Sequence, residues 1–252
     1  SSGDAYGLGY GLLQHDQIEP FLLHFFAMSA HGYNRGSFTA PSSSNIADRD
    51  VPAVTYSAVA EVIAPTYLKW MLCFEEPETR TLWLAKATPR DWLAPGEEPL
   101  RAYNLTTRYG RVSFSLSAAT ASLASSEGEG VATVAAAAAA AAAGYSVHAS
   151  VHLPSSFVAA PPSGGIRLRI RAPLQWAGKL SHVTIGGEVW SAFNAAEETI
   201  DIAREQITAK MVVGLGKIVI GFDDARAGIP RRTSTAPCSS RRPANECRAV
   251  QA

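Results

Sequence analysis

Cysteine is scarce. There are three, Cys73, Cys238 and Cys247, in 252 residues, with no Cys-x-x-Cys spacing. This excludes a disulfide framework and a cysteine-built metal site. Cys73 lies in an apolar run and reads as a buried free thiol. Cys238 and Cys247 lie in a polar tail, where a disulfide stays open. Neither sign of charge is in excess: 22 Lys+Arg balance 22 Asp+Glu. That balance argues against a general polyanion binder held by long-range electrostatics, so nucleic acid is not an expected partner. Charged residues make up only 17%, below the usual quarter. The longest unbroken apolar stretch is alanine-dominated and too short to cross a bilayer. The chain opens Ser-Ser-Gly-Asp, without Met or a signal peptide, and reads as a processed or partial chain. His-Glu-x-x-His and Gly-x-Ser-x-Gly are absent. Gly214-Leu-Gly-Lys217 lacks the earlier glycine and the following Ser/Thr of a phosphate loop. No cofactor and no metal are expected.

What is present is enough apolar material, 47% of the residues, for a real core. Residues 1–30 read as helical. Gly7, Gly9 and Gly11 make the first part tight or irregular, Asp16 offers an N-cap, and Pro20 fits a first turn. Leu22, Leu23, Phe25, Phe26 and Met28 give a broad apolar surface, and Gly32 stops the helix. A long polar loop spans 32–55 and reads as ordered and functional. A second helix runs over 56–74, with a kink or split expected at Pro65. Two helices with a long connection make a helical hairpin.

Beyond residue 78 the period changes to two. Strands are expected at 81–85, 111–117, 145–153, 166–171, 182–185 and 199–202, with Gly186-Gly187 as a hairpin turn and a short helical turn at 89–96. Serial short strands indicate an antiparallel β-sandwich. A low-complexity insertion at 120–144 holds nine consecutive alanines, Ala135 to Ala143. Residues 203–252 read as a basic, largely disordered tail, although Met211 to Phe222 is apolar enough for a strand or short helix. That tail carries nine Lys/Arg against four Asp/Glu, so residues 1–202 carry a net charge of about −5. The fold class is α+β: a helical hairpin region at 1–78, a β-sandwich at 79–202, then the tail.

Polar clusters mark candidate sites. His31, Tyr33, Asn34, Arg35 and Phe38 stand where a buried helix opens into the long loop, a common place for binding groups. Glu75, Glu76 and Glu78 offer carboxylates of the kind glycoside hydrolysis needs in pairs, or form a solvated turn. Arg167, Arg169 and Arg171 share one strand face. They fit a polyanion or sugar acid, or the solvated outer face of a sandwich. His148 and His152 share a strand face without a third metal ligand, and a solvent-facing surface suits them better. Asn104-Leu105-Thr106 fits the glycosylation sequon.

The run Phe21-Leu-Leu-His-Phe-Phe-Ala-Met-Ser-Ala-His-Gly-Tyr-Asn-Arg-Gly-Ser-Phe-Thr-Ala-Pro41 resembles a late hairpin of six-hairpin, (α/α)6-barrel glycosidase-like proteins. So do Tyr67-Leu-Lys-Trp-Met-Leu-Cys-Phe-Glu-Glu-Pro-Glu78, Leu82-Trp-Leu-Ala-Lys-Ala-Thr-Pro-Arg-Asp-Trp-Leu93 and Thr107-Arg-Tyr-Gly-Arg-Val-Ser-Phe114. Ile166-Arg-Leu-Arg-Ile-Arg-Ala-Pro173 and Glu198-Thr-Ile-Asp-Ile202 are similar to the sandwich that closes such proteins. The resemblance covers about residues 5–202 apart from the alanine insertion. It implies sugar chemistry at a barrel mouth, with carboxylates as acid and base. His31, Asn34 and Arg35 would bond sugar hydroxyls, with Tyr33 or Phe38 as a stacking platform, and Glu75 is the one catalytic candidate. Where such proteins carry an acidic residue just after the loop's Ala-Pro, this chain has Ser42-Ser43-Ser44. A complete ring of six hairpins needs about 350 residues. The chain is therefore expected to be a C-terminal portion, the remnant or end of a barrel, inactive as an isolated chain. The alternatives are a structural or interaction subunit whose partner chain covers the incomplete barrel, and a carbohydrate-binding sandwich.

Overall fold

The computed structural model describes residues 2–34, 39–41, 56–120, 144–207 and 218–222. The alanine-rich insertion, the rest of the long loop and most of the tail, with Cys238 and Cys247, lie outside them.

The glycine-rich start forms a regular helix, α1 (Ser2–Gln14). A Cβ on Gly9 would sit 2.2 Å from the Tyr67 ring, and the Gly9 amide donates to the Tyr67 hydroxyl at 3.2 Å. Gly7 and Gly11 meet nothing within 4 Å. Gly9→Ala is therefore expected to cost about 1–3 kcal/mol through overpacking. Gly7→Ala is expected to gain about 0.5–1 kcal/mol of helix propensity. Thermal unfolding of the two variants reads this opposite sign.

The second helix, α2 (Ile18–His31), carries Pro20 in its first turn, as expected. Asp16, however, is not its cap. Gln17 occupies that position without a side-chain cap bond, and Asp16 takes a left-handed φ of 56° that sends its carboxylate elsewhere. The next helical stretch divides at Val62 rather than Pro65, into α3 (Ala58–Glu61) and α4 (Ile63–Leu72). Pro65 falls in the first turn of α4, where a missing N–H costs nothing. Leu13, Ile18, Phe21, Ile63, Tyr67 and Met71 form a helical core that also takes in Phe74 and Trp83 from the sheet below. Tyr67 is its hub, with ring centroids 5.5 Å from Phe21 and 5.8 Å from Trp70.

The strands are β1 (Cys73–Glu75), β2 (Leu82–Leu84), β3 (Leu100–Thr107), β4 (Gly110–Thr120), β5 (Tyr145–His152), β6 (Ile166–Arg169), β7 (Leu180–Ile185), β8 (Glu188–Val189), β9 (Phe193–Asn194), β10 (Thr199–Ile202) and β11 (Ile218–Phe222). They make a five-stranded sheet of order β1-β2-β6-β10-β9 and a six-stranded sheet of order β3-β4-β5-β11-β7-β8. Among the described residues only β2 and β6 pair in parallel; the other pairs are antiparallel. The chain is thus α+β, with a few helices and two antiparallel-rich sheets. Gly186 and Gly187, at φ 63° and 89°, make the expected β7–β8 turn.

Side chains of both sheets share one buried cluster, which includes Leu168 and Ile200 of the first and Val147, Val151 and Ile220 of the second. The strand or short helix expected within Met211 to Phe222 is a strand over residues 218–222. Residues 218–222 are not loose: β11 lies inside the six-stranded sheet between β5 and β7, with Ile220 and Phe222 fully buried.

Arg169 and Arg171, on β6 and its extension, do not lie on the solvated outer face expected of them. Ile166, Leu168 and Ile170 face the shared cluster, and the alternating arginines face the helices. Arg169 and Arg171 are each only 4% exposed. Arg169 grips Asp16 with two bonds, of 2.8 and 2.6 Å, and Arg171 reaches Glu19 at 2.6 Å. Only Arg167, paired with Asp201, keeps substantial exposure. This face is covered by helices, and its cations hold the helical layer down.

Lys86 completes that layer. Its side chain is 1% exposed, 3.3 Å from Asp16, and its ammonium lies 3.6 Å from the Trp83 ring centroid. Burial presses its pKa from 10.5 down to about 8, with Asp16 pulling it back up and Arg169 adding to the fall. Burial alone would raise the Asp16 pKa, but the Arg169 and Lys86 charges outweigh it and hold it below the ordinary value.

Candidate functional site

The end of α2 opens into the long loop. Tyr33 donates from its hydroxyl to the Glu61 carbonyl at 3.4 Å. Asn34 bonds Thr39: its amide N–H donates to the Thr39 carbonyl at 2.8 Å and its Nδ2 to the Thr39 hydroxyl at 3.3 Å. Glu61 accepts from the Ala40 amide at 2.8 Å, and the Ser57 amide donates to the Ala40 carbonyl at 2.8 Å. These bonds close the loop root onto α3. Tyr33 and Asn34 are half-buried in it, while His31 is exposed at the helix end. Arg35 and Phe38 lie outside the described residues, as do Ser42, Ser43 and Ser44.

Glu75 ends β1 and is half-buried. Its Oε2 takes the Arg108 Nε–H at 2.5 Å. That pair raises the Arg108 pKa through the hydrogen bond and the charge. Glu75 thus faces the β3–β4 turn. Glu78 accepts from Gln14 at 3.1 Å at the surface. His148 pairs across to Val219 and Ser117, His152 is exposed, and among the described residues no group of His, Cys, Asp or Glu is placed to hold a metal. Asn104 is exposed on β3.

A different constellation was not anticipated. The turn Arg90–Leu93 is anchored on three sides. Arg90 forms a bidentate pair with the buried Glu198, at 2.9 and 2.8 Å, and donates to the Ala172 carbonyl at 2.6 Å. The Tyr145 hydroxyl donates to the Leu93 carbonyl at 2.7 Å, and burial pushes the Tyr145 phenol well up. This fixes Trp92, which packs its inner edge on the helical core. Its other side lines a recess of about 240 Å³ with Glu97, Glu98 and Leu100. Both carboxylates are exposed and carry no ion pair among the described residues. An aromatic face beside carboxylates suits a sugar ring, whose C–H face lies on the indole while its hydroxyls donate to the carboxylates. The recess is smaller than the usual range for drug-sized ligands and fits a single ring. The signal was a tryptophan five residues before a Glu-Glu pair in a Pro/Gly turn segment.

No protein-family profile, characterised protein sequence or solved structure matches the chain. Among the described residues no helix is long and apolar enough to cross a membrane.

Proposed function

We propose that this is the C-terminal portion of a glycoside-hydrolase-like, carbohydrate-active protein, which binds sugar without hydrolysing it as an isolated chain. The observation that carries the reading is the recess of Trp92, Glu97 and Glu98, held rigid by Arg90, Glu198 and Tyr145. The barrel end and the closing β-sandwich belong to the same proposal. They are supported by the order of helices and sheets and by the second apolar face of the helices, where Leu23 is 74% and Phe26 50% exposed. In a ring of hairpins each helix packs on neighbours at both sides, so such residues find cover there.

Hydrolysis needs two carboxylates across a glycosidic bond. Glu75 is engaged by Arg108, so no turnover is assigned to it. The intact chain is expected to release no reducing ends from an oligosaccharide panel. Neutral oligosaccharides are expected to perturb tryptophan fluorescence, and Trp92→Phe to remove most of that response. Cleavage that disappears in Glu75→Gln would overturn the reading. The exposed helix face equally favours a second reading, an interaction subunit covered by a partner chain. A monodisperse monomer in sedimentation would count against that one.

A further inference from the structure

A second concavity, of about 950 Å³, opens on another part of the molecule. Its cations arrive from three separated places in the chain. Arg80 sits in the β1–β2 turn at φ 53°, fixed by the Gly164 amide donating to its carbonyl at 3.1 Å. Arg108 sits in the β3–β4 turn, which Thr107 closes by donating to the Gly110 carbonyl at 2.7 Å and accepting from the Tyr109 amide at 3.1 Å. Arg204 opens the turn after β10, which Gln206 locks by accepting from the Ala203 amide at 2.8 Å. Arg80 and Arg204 are exposed and carry no ion pair among the described residues. Arg108 uses only its Nε on Glu75, leaving both terminal amines of its fork for a ligand. Tyr109 is half-buried, edge-on to the Phe157 ring at 5.8 Å, and Ser156 and Ser163 add hydroxyls to the lining.

We propose that this groove binds an acidic oligosaccharide through its carboxylates. Guanidinium forks match carboxylates bidentately, and hydroxyls and one tyrosine face suit the sugar between them. The volume lies near the top of the usual ligand range of about 300–1,000 Å³, which suits several rings rather than a lone inorganic anion. A dense polyanion such as nucleic acid fits poorly. Residues 1–202 hold 13 Lys/Arg against 18 Asp/Glu, so they carry no net positive charge to draw in a long, closely charged chain. The groove's charge stands by itself; that a sugar bears the anion rests on the carbohydrate reading above.

The test is calorimetric titration of the intact chain with a galacturonate oligomer, its methyl ester, a polyglutamate of similar length and a single-stranded oligonucleotide. The acidic oligosaccharide is expected to bind, more weakly as salt rises, and the ester to show only the salt-insensitive neutral-sugar binding that Arg80→Gln/Arg204→Gln leaves untouched. Arg80→Gln/Arg204→Gln is expected to weaken binding about tenfold or more, because two charged hydrogen-bonding groups are lost. Both side chains are exposed, so the fold is expected to survive, which circular dichroism checks. No binding, binding indifferent to the double substitution, or equal binding of the oligonucleotide overturns the proposal. Equal binding of polyglutamate overturns the sugar assignment. Neutral-sugar binding at Trp92 is expected to be untouched by the double substitution, so failure there and failure here are told apart.

Discussion

Ending the chain at Ile207 is expected to abolish cooperative unfolding. The truncation removes β11, and with it the partner of both β5 and β7. Two interior strands become edges with unpaired amides and carbonyls, a condition that invites aggregation. The buried cluster loses Ile220 and Phe222, and Phe222 packs 5.0 Å from the Tyr145 ring, itself stacked on Trp176. The single substitution Phe222→Ala is expected to cost about 3–5 kcal/mol by the same loss of packing. Urea unfolding followed by circular dichroism reads both. A truncated chain with an undiminished midpoint would show that β11 is dispensable.

Asp16→Asn is expected to cost about 3 kcal/mol at neutral pH. Asparagine tolerates the left-handed backbone of this position better than most residues, so the change isolates the charge. Asp16 is itself 44% exposed. The penalty falls on the cations left behind, Arg169 at 5% and Lys86 at 1% side-chain exposure. Lys86 can escape by losing its proton, at about 1.4 kcal/mol per pH unit from its pKa, but Arg169 cannot. Asp16→Asn/Lys86→Met is therefore expected to be more stable than Asp16→Asn alone.

The pH dependence has a definite sign. The folded pKa of Lys86, about 8, lies below its ordinary 10.5. Between those values the unfolded chain holds more protons, so the lysine's contribution grows as pH rises and is lost as pH falls through the folded value. From about pH 7.5 to about pH 9 the wild type is expected to gain about 1 kcal/mol relative to Lys86→Met. Cys73 acts oppositely above 9.0, because burial raises its thiol to about 12 and the unfolded thiol ionises first. Comparison with Lys86→Met removes that contribution, since both proteins keep Cys73.

The strands with clean alternation were legible. In β5, Val147, Ala149 and Val151 are buried, as is Leu153 just beyond it. β3 was not legible: a bulge between Ala102 and Leu105, with Asn104 at φ 54°, breaks its period, and Tyr103 and Asn104 both face water. β1 was hidden because it continues from α4 with no turn between. The arginine face of β6 looked like a solvated surface because alternating charge usually means that. Its partners, Asp16 and Glu19, stand 153 and 152 residues earlier, beyond any local pattern. The loop root around Tyr33 and Asn34 was readable as structure, from the helix stop and the polar residues after it. The Trp92 recess was not, because its rigidity comes from Glu198 and Tyr145, far along the chain.

The function proposed for this helix-and-sheet body is sugar binding without hydrolysis by the isolated chain. Calorimetric titration of the intact chain with neutral oligosaccharides, wild type against Glu97→Gln/Glu98→Gln, tests it most directly. Saturable binding to the wild type is expected, with the ligand recovered uncleaved. About tenfold weaker binding to the variant is expected, since each carboxylate would accept charge-assisted bonds from sugar hydroxyls. Absence of any sugar binding, or binding that ignores both substitutions, would contradict it.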